Sequence, residues 1–238
     1  MSLVENMSAL NMKVEKKAMK KSRDLEQREF NLNLIKTLNL AKYADDKREV
    51  PRDIMENLHA FQKFDRNGLK AEIKMFARES GVPEGLWEFC LDLTTSNMKV
   101  LYETAGWGWN PKKKKREIKD EEARLIIAFE NLKSVGFCHF RFVREEDALV
   151  SYVYELQVKP EMARKGLGRH MMLIVELAAR SLGMEWVMLT VLECNKKAAA
   201  FYEGLKYKID ETSPQVVLED GEETSYQILS KRLSNKNK

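Results

Sequence analysis

Cysteine, histidine and proline are scarce in this 238-residue chain, which holds three cysteines, three histidines and five prolines. Cys90, Cys138 and Cys194 are odd in number, far apart and without Cys-x-x-Cys spacing. They support neither a disulfide framework nor a structural zinc site, so no metal is expected and a reducing setting, cytoplasmic and nuclear, fits best. His59, His139 and His170 offer few candidates for a histidine base, and each reads first as an ordinary surface or core residue. No run approaches the ~20 apolar residues that span a bilayer, and no basic-then-apolar leader opens the chain, so no membrane role is expected. A strong charge bias is missing too. Lysine and arginine (41) exceed aspartate and glutamate (37) by 4, which disfavours a polycation that grips nucleic acid nonspecifically.

What is present suffices for one substantial core: 44% of the residues are apolar. From about Leu3 to Leu40 there is no glycine or proline, and Leu3, Met7, Leu10 and Val14 recur at helical steps. The cluster Lys16, Lys17, Lys20, Lys21 and Arg23 interrupts that stripe, so a helix packed on the main domain is expected, with a nuclear-import signal as the alternative. Residues from Lys42 to Asp53 read as a linker. Residues 1–60 are thus a helical extension and linker, and residues 61–238 form the main domain.

Within that domain, a turn at Asp65-Arg66-Asn67-Gly68 leads to a strand at Leu69 to Phe76, and Pro83 opens a helix reaching about Thr104. Gly106 to Pro111, followed by the basic run Lys112 to Arg116, reads as a loop. Strands are expected at Ala123 to Phe129, Gly136 to Phe142 and Leu149 to Val158, then a helix from Gly168 to Leu182. A strand from Trp186 to Leu192, a helix from Lys196 to Leu205, and strands near Tyr207 to Asp210 and Tyr226 to Leu233 complete the chain. Strands on both sides of a crossover helix imply an α/β fold, a mixed central sheet flanked by helices with at least one parallel pair.

The most informative passage is the strand Ser151 to Val158, then Arg164-Lys165-Gly166-Leu167-Gly168-Arg169 entering a helix. Unpaired amides at a helix N-terminus, with the positive end of its dipole, suit an anion such as a pyrophosphate. Such a glycine pair also serves as a plain helix cap. The Walker spacing is absent, and Met171 stands where a dinucleotide fingerprint needs its third glycine.

The passage resembles motif A of the GNAT superfamily of N-acetyltransferases, whose arginine/glutamine-x-x-Gly-x-Gly/Ala loop holds the pyrophosphate of acetyl-coenzyme A. The first position of that pattern falls on Ala163, with the cations displaced to Arg164 and Lys165. Asn195-Lys196-Lys197-Ala198, followed by Phe201 and Tyr202, is similar to the superfamily's later asparagine-x-x-alanine pattern. A narrower likeness runs through Phe64 to Leu69, Asn97-Met98 with Tyr102, Trp107-Gly108-Trp109, and His139 to Phe142. It continues through Tyr154 to Gln157, Arg164 to Gly168, Val187 to Val191, and Ser225-Tyr226 with Ile228 to Ser230. These phrases resemble the histone-specific N-alpha-acetyltransferases of the NatD family. The resemblance implies a GNAT fold with an N-terminal helical extension and acetyl transfer from acetyl-coenzyme A to the N-terminal α-amine of histone H4 and histone 2A. The ribosome or chromatin would be a further contact.

By the same resemblance, Glu155 is the base, acting directly or through water, and Tyr202 the acid for the leaving thiolate. Leu156, Gln157, Val158, Arg164, Lys165, Gly166, Leu167, Gly168, Arg169 and Asn195 would hold the donor, with the amide at or near Leu156 bonding the thioester carbonyl. Tyr102, Trp107, Glu145, Tyr152, Tyr154, Thr190 and Tyr226 would take the acceptor, and Glu145 could clamp its arginine. The family's second acidic residue falls on Val143, leaving Glu146 or Asp147 to compensate. Glu219, Asp220, Glu222 and Glu223 could attract a basic tail or form a solvated loop. One difficulty is local: strand alternation sets Glu155 opposite Tyr152 and Tyr154, and a bulge cannot be seen in sequence. A lysine or small-amine acetyltransferase and a catalytically idle acetyl-coenzyme A-binding module are the alternatives.

Overall fold

Alternation over Leu69–Ala77 buries Leu69, Ala71 and Ile73 and exposes Lys70, Glu72 and Lys74, the pattern of a strand with one face on a core. The computed structural model describes residues 54–77, 81–145, 147–214 and 224–233, with Lys21 and Leu25. The expected N-terminal helix and linker otherwise lie outside the described residues, as do Glu146 and the acidic run from Glu219 to Glu223.

Among the described residues a single sheet of eight strands carries the domain. In chain order these are β1 (Lys63–Arg66), β2 (Leu69–Ala77), β3 (Arg124–Glu130), β4 (Lys133–Glu145), β5 (Ala148–Val158), β6 (Trp186–Leu192), β7 (Lys208–Ile209) and β8 (Tyr226–Arg232). Their spatial order is β1-β2-β3-β4-β5-β6-β8-β7. Among the described strands only β5 and β6 run parallel, joined by the crossover helix α3 (Leu167–Ser181), as the strand-helix-strand pattern implied. From residue 54 on, the other α-helices among the described residues are α1 (Glu84–Thr104), α2 (Pro111–Ile118) and α4 (Lys196–Gly204).

Alternate residues of the sheet feed two cores. Ile126, Cys138, Phe140 and Phe142 pack with Met171, Ile174 and Val175 of α3, and Met55 from a 3-10 turn ahead of Phe61 joins the same core. Leu125, Ile127 and Phe137 point the other way, against Trp87, Cys90 and Leu93 of α1 and Ile118 of α2.

Two segments differ from the sequence expectation. Lys112 to Arg116 is not a loop but most of α2: the Asn110 side chain accepts from the Lys113 amide at 2.9 Å, and Pro111 occupies the first turn. Lys114 and Ile118, one turn apart, turn inward from that helix. Lys63–Arg66, assigned no strand from sequence, pairs with β2 through the hairpin turn at Asn67 (φ 52) and Gly68 (φ 72), an Asn-Gly pair suited to left-handed backbone.

Candidate active site

β5 and β6 share a ladder only from Val150 to Val153 and then part. Beyond that point Lys159 donates its amide to the Val135 carbonyl on the β4 side. Strand alternation therefore aims the amides of Leu156 and Val158 at the opening left by β6. A cavity of about 460 Å³ lies here.

The register between β4 and β5 slips beside this opening. His139 pairs with Glu155 but Phe140 pairs with Val153, leaving Tyr154 as an extra, bulged residue. Below the bulge, Glu155 and Gln157 face α1 and α2; above it, Tyr152 and Tyr154 occupy that same face while Val153 packs in the α3 core. The conflict posed by strand alternation is thus removed by one extra residue, and Tyr152, Tyr154 and Glu155 all line one cavity.

Glu155 is 4% exposed. Its Oε1 accepts from Lys114 Nζ at 2.8 Å and its Oε2 from Gln157 Nε2 at 2.8 Å. Gln157 is itself oriented by Asn97, whose amide donates to Gln157 Oε1 at 3.0 Å and to the Val158 carbonyl. Burial pushes the Glu155 carboxyl above the usual range, against the opposing pull of Lys114 and Gln157. Burial alone would lower Lys114, but Glu155, Glu117 and Tyr102 outweigh it and hold the ammonium above its ordinary value.

His139, fully buried beside Glu155 in the ladder, stacks on Tyr154 with ring centroids 5.1 Å apart. Burial first, and the nearby Arg141 and Lys114 next, hold it well below the usual imidazole range. Its Nε2 accepts from Arg141 Nε at 3.4 Å, which leaves the proton on Nδ1. Arg141 is in turn fixed by the Glu117 carbonyl and Asp120, with its guanidinium 4.3 Å from the Tyr154 ring centre.

The acceptor set expected from sequence is brought together. Tyr102, Trp107, Glu145, Tyr152, Tyr154 and Thr190 line the cavity. The Tyr152 and Thr190 hydroxyls meet at 2.6 Å, and Trp107 packs edge-on to both Tyr102 and Tyr226. Trp107 also donates its indole N–H to Ser225 at 2.8 Å. Of the carboxylates that could compensate for Val143, Asp147 is engaged by Arg144 at 2.6 Å.

Tyr202 is 7% exposed, packs against Phe201 and Tyr207, and reaches the cavity. Burial raises its phenol well above the usual range, which keeps it protonated at neutral pH and makes it a weaker proton donor than a free tyrosine. Asn195 caps α4, accepting from the Ala198 amide at 3.2 Å, and also borders the cavity.

The expected donor loop sits at the start of α3. Arg164 (φ 62) and Gly166 (φ 98) adopt left-handed backbone, and Gly166 caps the helix without any side-chain bond to its first amides. Leu167, Gly168 and Arg169 form the first turn, whose amides no side chain caps, a set of backbone donors that fits a pyrophosphate. Asn67 ties the β1–β2 hairpin to this loop through Lys165 O at 3.0 Å. Arg169 does not line the main cavity; it turns with Gly166 into a side groove of about 290 Å³ bounded by Lys63, Arg66 and His170. The Gln157 side chain, likewise, is spent on Glu155. Lys114, Glu117, Asn97, His139 and Arg141 escaped the sequence reading. Only the His139 to Phe142 and Asn97-Met98 phrases pointed toward three of them.

Residues 89–207, half of the chain, match the acetyltransferase (GNAT) family. Similar solved structures include an acetyltransferase from Streptococcus agalactiae, 20% identical over 68% of this chain and 98% of that one, with a TM-score of 0.54. Tetrahymena GCN5 is 10% identical over 69% of this chain and 97% of its own, with a TM-score of 0.53. A GNAT-family acetyltransferase from Listeria monocytogenes is 14% identical over 72% and 99% of the two chains, with a TM-score of 0.50. At such identities these likenesses speak to the fold, and together with the matched half of the sequence they make the chain a member of the GNAT family of acetyltransferases.

Proposed function

We infer that this acetyl-coenzyme A-dependent enzyme acetylates the N-terminal α-amine of histone H4 and histone 2A, whose chains begin Ser-Gly-Arg-Gly. The observation that carries the reading is the bulge at Tyr154, which sets Glu155, Tyr152 and Tyr154 on one wall beside Tyr102 and Trp107. When bound, acetyl-coenzyme A supplies an acetyl thioester. Leu156 offers its amide to the carbonyl oxygen, Glu155 takes the proton of the attacking amine, and Tyr202 gives one to the departing sulfur.

The character of the base favours an α-amine. Burial strengthens Glu155 as a base while Lys114 and Gln157, from which it accepts, oppose that rise, and a carboxylate suits the acceptor that needs least help to lose its proton. An α-amine, with a pKa of about 7.7 to 8.0, needs only on the order of 1 kcal/mol for deprotonation near neutrality. A lysine side chain, near 10.4, would need about 4 to 5 kcal/mol. Aromatic rings around the entrance suit a chain whose first residues are small, and Glu145 at the rim is the partner for the arginine at its third position. A histone acceptor places the activity in the cytoplasm and nucleus.

Rates with a peptide that begins Ser-Gly-Arg-Gly and carries lysines further on, its α-amine free or blocked, test the reading. Turnover of the free peptide alone is expected. Equal turnover of the blocked peptide would make the protein a lysine acetyltransferase, and no turnover of either despite tight acetyl-coenzyme A binding would make it a binding module.

A further inference from the structure

The run Lys112 to Arg116 contributes a single side chain to the interior. Lys114 is 6% exposed although its neighbours Lys112, Lys113 and Lys115 are solvated. An ammonium is rarely taken out of water without compensation. Here compensation is complete: the three N–H donors go to Glu117 Oε1 at 2.6 Å, Glu155 Oε1 at 2.8 Å and the Tyr102 hydroxyl at 3.0 Å. One cation thus serves two carboxylates and leaves one net negative charge at the cavity wall. Glu155 is buried, whereas the Glu117 side chain is 28% exposed and lines the same cavity.

We propose that Lys114 is a positioning residue for the acetyl transfer: it aims the Glu155 carboxylate and, being shared with Glu117, sets how readily Glu155 takes the proton of the acceptor amine. This rests on the reading of Glu155 as the base. Lys114 acts as an anchor rather than a proton relay, because the surrounding carboxylates hold its own proton more tightly than an ordinary lysine does.

The other groups around Glu155 are neutral near pH 7. From α1 come Cys90 and Tyr102, from β4 Cys138 and from α4 Tyr202; burial raises each of them. His139 on β4 is held neutral, and Arg141 beyond it is paired with Asp120. Lys114, in contact with Glu155, and Glu117, in contact with Lys114, are therefore the charges on α2 that govern Glu155. They act in opposite senses, Lys114 favouring the carboxylate and Glu117 disfavouring it.

The experiment is the pH profile of kcat/KM for a free Ser-Gly-Arg-Gly peptide with the full chain and the variants K114M, K114R, E117Q and E155Q. K114M should move the acidic limb to higher pH, with roughly a tenfold loss of kcat/KM on that limb for each pH unit it moves, and K114R should restore most of it. E117Q, which keeps the buried ion pair and tests the idea even if K114M does not fold, should move the limb to lower pH. Acidic limbs that stay in place in E117Q, or equal loss in K114M and K114R with the limb unmoved, would overturn the anchor role. Should E155Q retain both turnover and the limb, the base assignment itself fails, a result distinct from failure of the anchor alone.

Discussion

At the scale of single residues, Glu155 and His139 are neighbours with opposite tasks. Replacing Glu155 by Gln keeps the volume and the bond to Lys114 while removing the proton acceptor. Turnover at saturating substrate should fall by about 10² to 10⁴ with acetyl-coenzyme A affinity nearly unchanged, which steady-state kinetics beside direct binding will show. His139 makes a stability prediction. Its folded pKa lies well below the ordinary 6.5, so as pH falls through that value the unfolded chain gains a proton that the native imidazole refuses. Its contribution is present above about pH 6.5 and is lost below it, at up to about 1.4 kcal/mol per pH unit. Denaturant midpoints between pH 7 and 5.5 should therefore drop less steeply in His139→Phe than in the parent. If both fall in parallel, His139 is not the titrating group.

Among the elements, order and type were legible in sequence for all but β1 and α2, and register was not. The α1 segment behind Pro83, the crossover pattern around α3 and the glycine-bearing loop all announce themselves through periodicity and breakers. The bulge at Tyr154 does not, because it exists only relative to β4: nothing within Ser151 to Val158 says which residue has no partner. Lys114 was hidden for a different reason. In a run of lysines the composition says solvated, and only the angular placement of α2, fixed by its Asn110 cap and by Ile118, selects which one enters the core. The β4–β5 contact gives the prediction at this scale. A Cβ on Gly136 would lie 2.9 Å from the Gln157 carbonyl oxygen, so Gly136→Ala must push β5 away just where Gln157 holds Glu155. Unfolding free energy should fall by about 1–3 kcal/mol and turnover should fall with it. Gly85→Ala, in open space on α1, should keep activity and stability or gain up to ~1 kcal/mol. Equal behaviour of the two variants would mean that the β4–β5 spacing does not set the site.

For the whole molecule, a net charge of +4 conceals a separation by place. Arg164, Lys165 and Arg169 gather at the start of α3, while Glu117, Glu145 and Glu155 line the central cavity with Lys114 as the lysine among its lining side chains. A cationic acceptor approaching the gap between β5 and β6 would meet the opposite sign in that cavity. Fragmentation mass spectrometry of histone H4 incubated with the protein and isotope-labelled acetyl-coenzyme A locates the transferred acetyl group. Label is expected on the N-terminal serine nitrogen, dependent on Glu155; label confined to lysine side chains would contradict an α-amine acceptor.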